Sequence, residues 1–178
     1  KDHSLKIGTV SDLIKYRLKN NKIIKLNSER YFESEMGRDF KLKIFQNTLS
    51  GEKHYALVKN ISISEDPTYV RMHKLDITKD IFEEKNIFGD EIAKSFKIIE
   101  EKGSGAIVLI NSDMAPKIDK IFKRRDTIDN KLELREYGVG AQILLELGLQ
   151  KIILLSNSNK KIIALDGFDL EIVSQEKI

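Results

Sequence analysis

The chain has 178 residues, of which 40% are apolar, and a formal net charge of +3; this fits one domain of ordinary size, with room for a fragment of another. The charge is too small to indicate a nucleic-acid-binding protein, and no apolar run approaches the roughly 20 residues that a membrane-spanning helix needs. The complete absence of cysteine excludes disulfides and every zinc site built from thiolates.

Other metal sites have little support in the sequence. The three histidines, His3, His54 and His73, are isolated, with no His-x-x-x-His or Glu-x-x-His pair. No basic-then-apolar signal segment is present at the start, so we expect a cytoplasmic protein without membrane or nucleic-acid partners.

The amino-terminal segment, residues 3–17, predicts a strand end, a turn at Gly8 and a helix. Thr9 and Asp12 approximate a capping box at the start of this helix. Four residues of the segment fall at helical spacing: Val10, Leu13, Ile14 and Arg17.

Alternating apolar and polar residues follow from residue 22 to residue 71. The clearest predicted strands are residues 22–26, 31–36, 41–45, 55–58 and 68–73, with a turn at 49–52 and a break at Asp66-Pro67. Several strands at hairpin spacing predict an antiparallel, barrel-like β layer.

The next segments predict a helix and a central strand. Residues 87–102 form an amphipathic pattern that ends at Gly103; its apolar stripe is Phe88, Ile92, Phe96 and Ile99. Residues 106–110 are predicted to form the central strand. Residues 113–126 are predicted to be helical or irregular, with an interruption at Pro116. The basic run at 120–125 predicts a solvated face, with a phosphate clamp or partner patch as the alternative.

A helix–turn–strand unit is predicted for residues 135–158. Gly138 and Gly140 are placed at the helix start, where free backbone N–H groups can meet an anion, and Gly148 is predicted to be the left-handed cap. Residues 151–155 predict a buried strand. Residues 156–158 then leave its carboxyl end, where open α/β sheets place ligands, so this polar loop is a candidate binding site. The alternative is an ordinary structural unit.

Two strings in this region carry a family resemblance. They are R-E-Y-G-V-G-A-Q-I-L-x-x-L-G-L-x-K-I-x-L-L-S-N from Arg135 to Asn157 and D-G-F-D-L-E-I-V from Asp166 to Val173. Both resemble the carboxyl-terminal signature of GTP cyclohydrolase II, a family that opens the imidazole ring of GTP early in riboflavin synthesis with a zinc ion held by three cysteines. The resemblance implies an α+β fold with a β-barrel-like amino-terminal layer and a sheet flanked by helices.

The amino-terminal segment resembles the last element of 3,4-dihydroxy-2-butanone-4-phosphate synthase, which is fused in front of GTP cyclohydrolase II in many bacteria. The two resemblances imply a synthase fragment or linker at residues 1–24 and a GTP cyclohydrolase II-like domain at residues 25–178.

The family's catalytic apparatus is not matched. Alignment on the Arg71-x-His73 strand and on a glycine further along puts Asp76, Asn86 and Phe88 at the three cysteine positions. Asparagine is a weak metal ligand and phenylalanine is none, so we expect no zinc. The family's Glu-Gly-Arg loop and catalytic tyrosine also have no counterpart after the central strand.

The resemblance implies that five residues are remnants of the family's site. Arg135 matches the family's arginine near the reacting phosphate, with Glu133 in the preceding acidic position. Arg71, Ser156 and Lys161 match nucleotide-binding positions. For each, an ordinary ion pair or cap is the alternative.

Three functional hypotheses follow. The first is a GTP cyclohydrolase II-like domain that has lost GTP ring opening and that supports, dimerises or regulates a synthase domain in cis. The second is a sensor of GTP or another phosphate ligand. The third is an active GTP cyclohydrolase rebuilt around the acidic residues Asp76, Asp80, Glu83 and Glu84. A homodimer is the family expectation.

Overall fold

One mixed sheet of seven strands forms the centre of the described structure. The computed structural model describes residues 9, 12–13, 16–17, 20–35, 37–62, 66–75, 87–111, 130–158 and 170–178. The strands in these ranges are β1 (Ile24–Ser34), β2 (Gly37–Asn47), β3 (Lys53–Lys59), β4 (Thr68–Lys74), β5 (Gly105–Ile110), β6 (Lys151–Leu155) and β7 (Glu171–Glu176). The helices are α1 (Ile87–Lys102) and α2 (Asn130–Glu146). The sheet order is β1-β2-β3-β5-β4-β6-β7, which confirms the α+β class.

The first three strands form the predicted antiparallel part. β1 pairs with β2 from Ile24 opposite Asn47 to Ser34 opposite Gly37, with two register shifts, so the two short strands predicted at residues 22–36 are one long strand. β2 returns into β3 through the predicted turn. There the Asn47 side-chain oxygen accepts hydrogen bonds from the N–H groups of Leu49 (2.9 Å) and Ser50 (3.2 Å). This short polar turn fixes the register of the hairpin.

β4 differs from the sequence expectation, because it does not continue the antiparallel layer. β3 pairs instead with β5, antiparallel, and β4 lies on the other edge of β5, parallel to it. A parallel neighbour needs a crossover connection, and α1 lies between β4 and β5 in the chain to provide it. The antiparallel strands and the later strands therefore belong to one sheet.

The two helices cover opposite faces of the sheet. Alternate residues of a strand point to opposite faces, and β5 divides in this way: Ala106 and Val108 pack in one cluster with Ile143 of α2, whereas Ile107 packs in another with Phe96 of α1. The Phe96 ring also meets the Phe40 ring of β2 edge-on, with centroids 4.9 Å apart. β5 is thereby buried on both sides, and it is the middle strand of the sheet, as predicted.

Both helices end at glycines, as predicted. Gly103 and Gly148 have φ angles of 78° and 80°. After α2, the N–H of Leu149 bonds to the Leu144 carbonyl (3.0 Å) and that of Gly148 to the Leu145 carbonyl (2.9 Å). These two bonds are the pattern of a Schellman cap, which satisfies carbonyls at the end of the helix.

The predicted capping box precedes the sheet. The Asp12 carboxylate accepts hydrogen bonds from the Thr9 N–H (2.9 Å) and Thr9 Oγ1 (2.7 Å), and the Asp12 N–H donates to Thr9 Oγ1 (3.1 Å). The predicted turn at Gly8 lies outside the described residues. No helix in the described ranges is long and apolar enough to cross a membrane.

Candidate functional site

Four parallel strands define one edge of the sheet. β5, β4, β6 and β7 run in the same direction, so their carboxyl ends meet at the edge where open α/β sheets bind ligands. Pairing continues past the strand ends, because the Leu75 N–H donates to the Ile110 carbonyl and the Ser156 N–H donates to the Glu176 carbonyl, both at 2.9 Å. The predicted polar loop at residues 156–158 begins at this edge.

Arg71 lies on β4 behind this edge and is buried, with 8% of its surface exposed. Its Nη1 donates a hydrogen bond to the Leu155 carbonyl at the end of β6 (3.1 Å). Its Nη2 forms an ion pair with the Glu91 carboxylate, which α1 contributes from the adjacent face of the sheet. Burial lowers the pKa of the Arg71 guanidinium, and the Glu91 carboxylate opposes this effect. Arginine starts from so high a pKa that it stays charged.

Glu91 connects three elements. One carboxylate oxygen pairs with Arg71, and the other accepts a hydrogen bond from Asn157 Nδ2 (3.0 Å). One turn along α1, Ser95 Oγ donates to the Glu91 backbone carbonyl (2.6 Å). The single negative charge of Glu91 thus balances the single positive charge of Arg71, and both charges are used inside the fold.

The loop after β6 is held by β7 and the residues that follow it. Ser156 is buried, and its Oγ accepts a hydrogen bond from the Ser158 N–H (3.1 Å). Gln175 Nε2 donates to the carbonyls of Ser156 (3.1 Å) and Ser158 (2.6 Å). Asn157 Oδ1 accepts a hydrogen bond from the Ile178 N–H (3.1 Å). The polar groups of this candidate binding loop therefore make a structural turn in the described state.

The predicted anion site at Gly138 and Gly140 is wrong, because α2 begins at Asn130 and both glycines lie inside it. Their N–H groups belong to the helical ladder and are not free at a helix start. The reason for Gly140 is close packing: a Cβ there would lie 2.2 Å from Met72 Cε and 3.1 Å from Ile110 Cδ1. The glycine allows α2 to approach β4 and β5.

The other predicted site residues are described only in part. Glu133 and Arg135 lie in the helical range of α2 and Phe88 in that of α1, but their side chains are outside the described part. Residues 113–126, which include the basic run at 120–125, also lie outside the described part. So do the five residues considered as metal ligands, Asp76, Asp80, Glu83, Glu84 and Asn86, and the remnant Lys161. Their roles stay predictions.

The donor chemistry of the chain does not fit the family's zinc ion. A site of three thiolates cannot form from this chain, because none of its 178 residues is cysteine. Within the described ranges, no three His, Asp or Glu side chains are grouped closely enough to hold a metal ion.

Glu91 is the residue of this site that sequence reasoning missed. It lies 20 residues from its partner Arg71, beyond the range of helical or strand periodicity. A signal was present: Glu91 immediately precedes Ile92 of the apolar stripe of α1, with Ser95 one turn later. Polar residues at that spacing lie at the border of the buried face.

Comparisons with known proteins find similarity over nearly the whole chain. The family model of GTP cyclohydrolase II matches residues 25–177. The riboflavin biosynthesis protein RibBA of Aquifex aeolicus is 34% identical, with 100% of this chain and 48% of that protein covered. A 3,4-dihydroxy-2-butanone 4-phosphate synthase of Photobacterium phosphoreum is 36% identical, with 97% of this chain and 48% of that protein covered.

A solved structure agrees with these matches. RibBX of A. baumannii, described as a two-domain 3,4-dihydroxy-2-butanone 4-phosphate synthase, superposes with a TM-score of 0.66 at 29% identity, covering 99% of this chain and 46% of that one. The chain thus spans about half the length of the relatives that it matches.

Proposed function

This chain belongs to the GTP cyclohydrolase II family, and on that premise we propose that it is a domain of a riboflavin biosynthesis protein that no longer opens the ring of GTP. Its role is to support or regulate a 3,4-dihydroxy-2-butanone-4-phosphate synthase domain in the same protein.

The absence of cysteine carries the first half of the proposal. The reaction of the GTP cyclohydrolase II family uses zinc to activate a water molecule, since a bound cation lowers the pKa of that water. The ion needs protein ligands that hold it in place, and the family takes them from three thiolates. This chain has no residue that can supply one.

The Arg71–Glu91 pair supports the same conclusion. A nucleotide phosphate that used Arg71 would have to compete with a carboxylate that is already in contact with the guanidinium. Removing one partner of a buried pair leaves the other charge uncompensated, which is costly. This observation favours a domain without ligand over the sensor of GTP or another phosphate.

The names and lengths of the relatives support the second half. Two of them are named as 3,4-dihydroxy-2-butanone 4-phosphate synthases, and this chain covers only 48% and 46% of their lengths. The well-packed sheet and the intact helix caps indicate a fold that is kept. A domain that keeps the family's fold but lacks the residues for its reaction fits a structural or regulatory role in cis.

The test of the first half is an assay of this purified chain with GTP and zinc, in which formate release is measured beside an active GTP cyclohydrolase II. We expect no formate and no stoichiometric zinc after dialysis. Formate release that depends on bound zinc or magnesium would overturn the proposal and favour a site rebuilt around the acidic residues.

The test of the second half uses a longer protein in which a synthase domain precedes this chain. Truncation after Lys25 removes the domain. We expect the truncated protein to lose synthase activity, thermal stability or its oligomeric state, measured in parallel on the intact protein. If all three are unchanged, the supporting role is wrong.

A further inference from the structure

The backbone between the amino-terminal helical residues and β1 is held by one side chain of α2. Gln142 Oε1 accepts hydrogen bonds from the N–H groups of Ile23 (3.0 Å) and Ile24 (3.2 Å). Its Nε2 donates to the Asn21 carbonyl (2.9 Å). Only 8% of Gln142 is exposed, so one buried amide meets three backbone groups within residues 21–24, here called the junction.

Two further contacts hold the junction from either side. The Thr48 N–H and Oγ1, in the turn after β2, donate to the Ile23 carbonyl at 2.8 and 3.2 Å. Lys22 Nζ forms an ion pair with Glu146 Oε2, in the last turn of α2, at 2.6 Å. The ion pair is exposed and contributes little on its own. The hydrogen bonds to Gln142 and Thr48 are the ones that fix the backbone.

The junction follows the helical residues directly. The Asn21 N–H donates to the Arg17 carbonyl (2.8 Å), and Asn20 Nδ2 donates to the Tyr16 carbonyl (2.7 Å). The carbonyl of Asn21 then bonds to Gln142. Helical hydrogen bonding and the contact with α2 thus meet at Asn21.

We propose that Gln142 is a positioning residue that keeps the junction rigid, so that residues 20–23, immediately before β1, hold a fixed orientation to the sheet. The amide suits this role because it accepts two hydrogen bonds with its oxygen and donates one with its nitrogen. In a buried place, an unpaired backbone group is costly, so loss of the amide frees the junction rather than leaving it in place unbonded. The benefit of a rigid junction to a preceding synthase domain rests on the proposed supporting function.

The test is amide hydrogen exchange in Gln142→Leu, which keeps the approximate size of the side chain and removes both hydrogen-bonding atoms. We expect the Ile23 and Ile24 amides to exchange at least about tenfold faster than in the unchanged chain. The Ile107 and Val108 amides of β5 report whether the sheet is intact, and they should be unaffected. Unchanged protection at Ile23 and Ile24 would overturn the proposal.

Two variants serve as controls. Gln150→Leu makes the same chemical change at an exposed position beyond α2 and should leave exchange at the junction unchanged. Gln142→Glu retains acceptor oxygens for Ile23 and Ile24 but cannot donate to Asn21, so it should give an intermediate rate. If Gln142→Leu does not fold, the Gln142→Glu variant tests the proposal instead. Faster exchange at the junction with an intact β5 would support the proposal, and unchanged exchange at the junction would contradict it.

Limited proteolysis gives a second measure of the same property. Trypsin cuts after Lys22 and Lys25, and a rigid junction resists it. We expect faster cleavage there in Gln142→Leu than in Gln150→Leu. Both experiments use this chain alone, so they do not depend on the supporting role. A junction that loosens while synthase activity of the longer protein stays constant would leave Gln142 as a positioning residue and count against the proposed function.

Discussion

Arg71 and Glu91 form a buried ion pair that joins β4 to α1. The side chains are 10% and 13% exposed, so neither charge is well solvated. Glu91 also accepts the hydrogen bond from Asn157. A change at Glu91 therefore affects both the guanidinium and the loop after β6.

We expect Glu91→Ala to lower the free energy of unfolding by about 3 kcal/mol, because it leaves the buried Arg71 charge without a negatively charged partner. Urea unfolding measures this change. Glu101→Ala, on the exposed side of the same helix, is the matched control and should change stability by no more than about 0.5 kcal/mol.

The double variant Arg71→Met with Glu91→Leu separates the charge from the packing. Replacing both members of a buried pair by apolar side chains is often nearly neutral, so we expect the double variant to be more stable than Glu91→Ala. A double variant that is as unstable as the sum of its single changes would show that the two residues are independent.

The contact between α2 and β4 depends on the missing side chain at Gly140. In the unchanged protein, we expect Gly140→Ala to destabilise by no more than about 1 kcal/mol, since the flexible end of Met72, 2.2 Å from the added Cβ, has to shift. In a Met72→Ala background the collision with Met72 is absent, and only the 3.1 Å contact with Ile110 Cδ1 remains. There the same change should be neutral or stabilising, because alanine favours a helix over glycine by about 1 kcal/mol.

A double-mutant cycle followed by urea unfolding measures this coupling. If Gly140→Ala has the same effect with Met72 and without it, the close approach of α2 to β4 is not the reason for the glycine.

The cap of α1 depends on backbone conformation alone. Gly103 has a φ of 78°, and a Cβ there would meet no described atom within 4 Å. We therefore expect Gly103→Ala to cost about 1 kcal/mol through the left-handed conformation, equivalent to a melting-temperature decrease of about 2–4 °C for a chain of this size. Gly103→Asn should cost less, because asparagine tolerates that conformation better. Equal losses in the two variants would contradict this explanation.

The elements with strong local signals could be predicted from sequence. α1 was predicted at its observed bounds, because an apolar stripe and a left-handed glycine define it. The start of α2 was not predicted correctly. Gly138 and Gly140 are poor helix formers, and packing of α2 on the sheet offsets the cost of placing them inside the helix. The direction of β4 was also missed, since hairpin spacing describes neighbours in sequence and β4 pairs with strands that come later.

The place of the polar loop in the fold was predictable and its hydrogen bonding was not, and its role as a binding site stays a prediction. The polar loop at residues 156–158 was placed correctly, because it follows a recognisable buried strand. Arg71 was identified through the family resemblance, but its partner Glu91 comes from another element and no local pattern connects the two. The absence of cysteine was the most informative feature of the sequence, because it excludes a thiolate zinc site without any structural information.

For the whole molecule, we expect stability that does not depend on metal. A thiolate zinc site contributes its binding free energy to folding, and this chain cannot form one. The melting temperature should be the same after dialysis against a chelator as in zinc-containing buffer. GTP should also leave it unchanged, whereas a ligand at 100 times its Kd would stabilise by about 2.7 kcal/mol. A GTP-dependent increase that requires zinc would contradict the proposed loss of activity.

The position of β4 has a consequence for how the chain folds as it leaves the ribosome. β1, β2 and β3 pair with neighbours in sequence, so this meander can form early. β4 emerges next, but both of its partners, β5 and β6, are synthesised later. Pairing between distant segments is slow, and an unpaired apolar strand is prone to aggregation while it waits. The nascent chain is therefore most vulnerable between completion of β4 and arrival of β6, the interval in which a chaperone would protect it best.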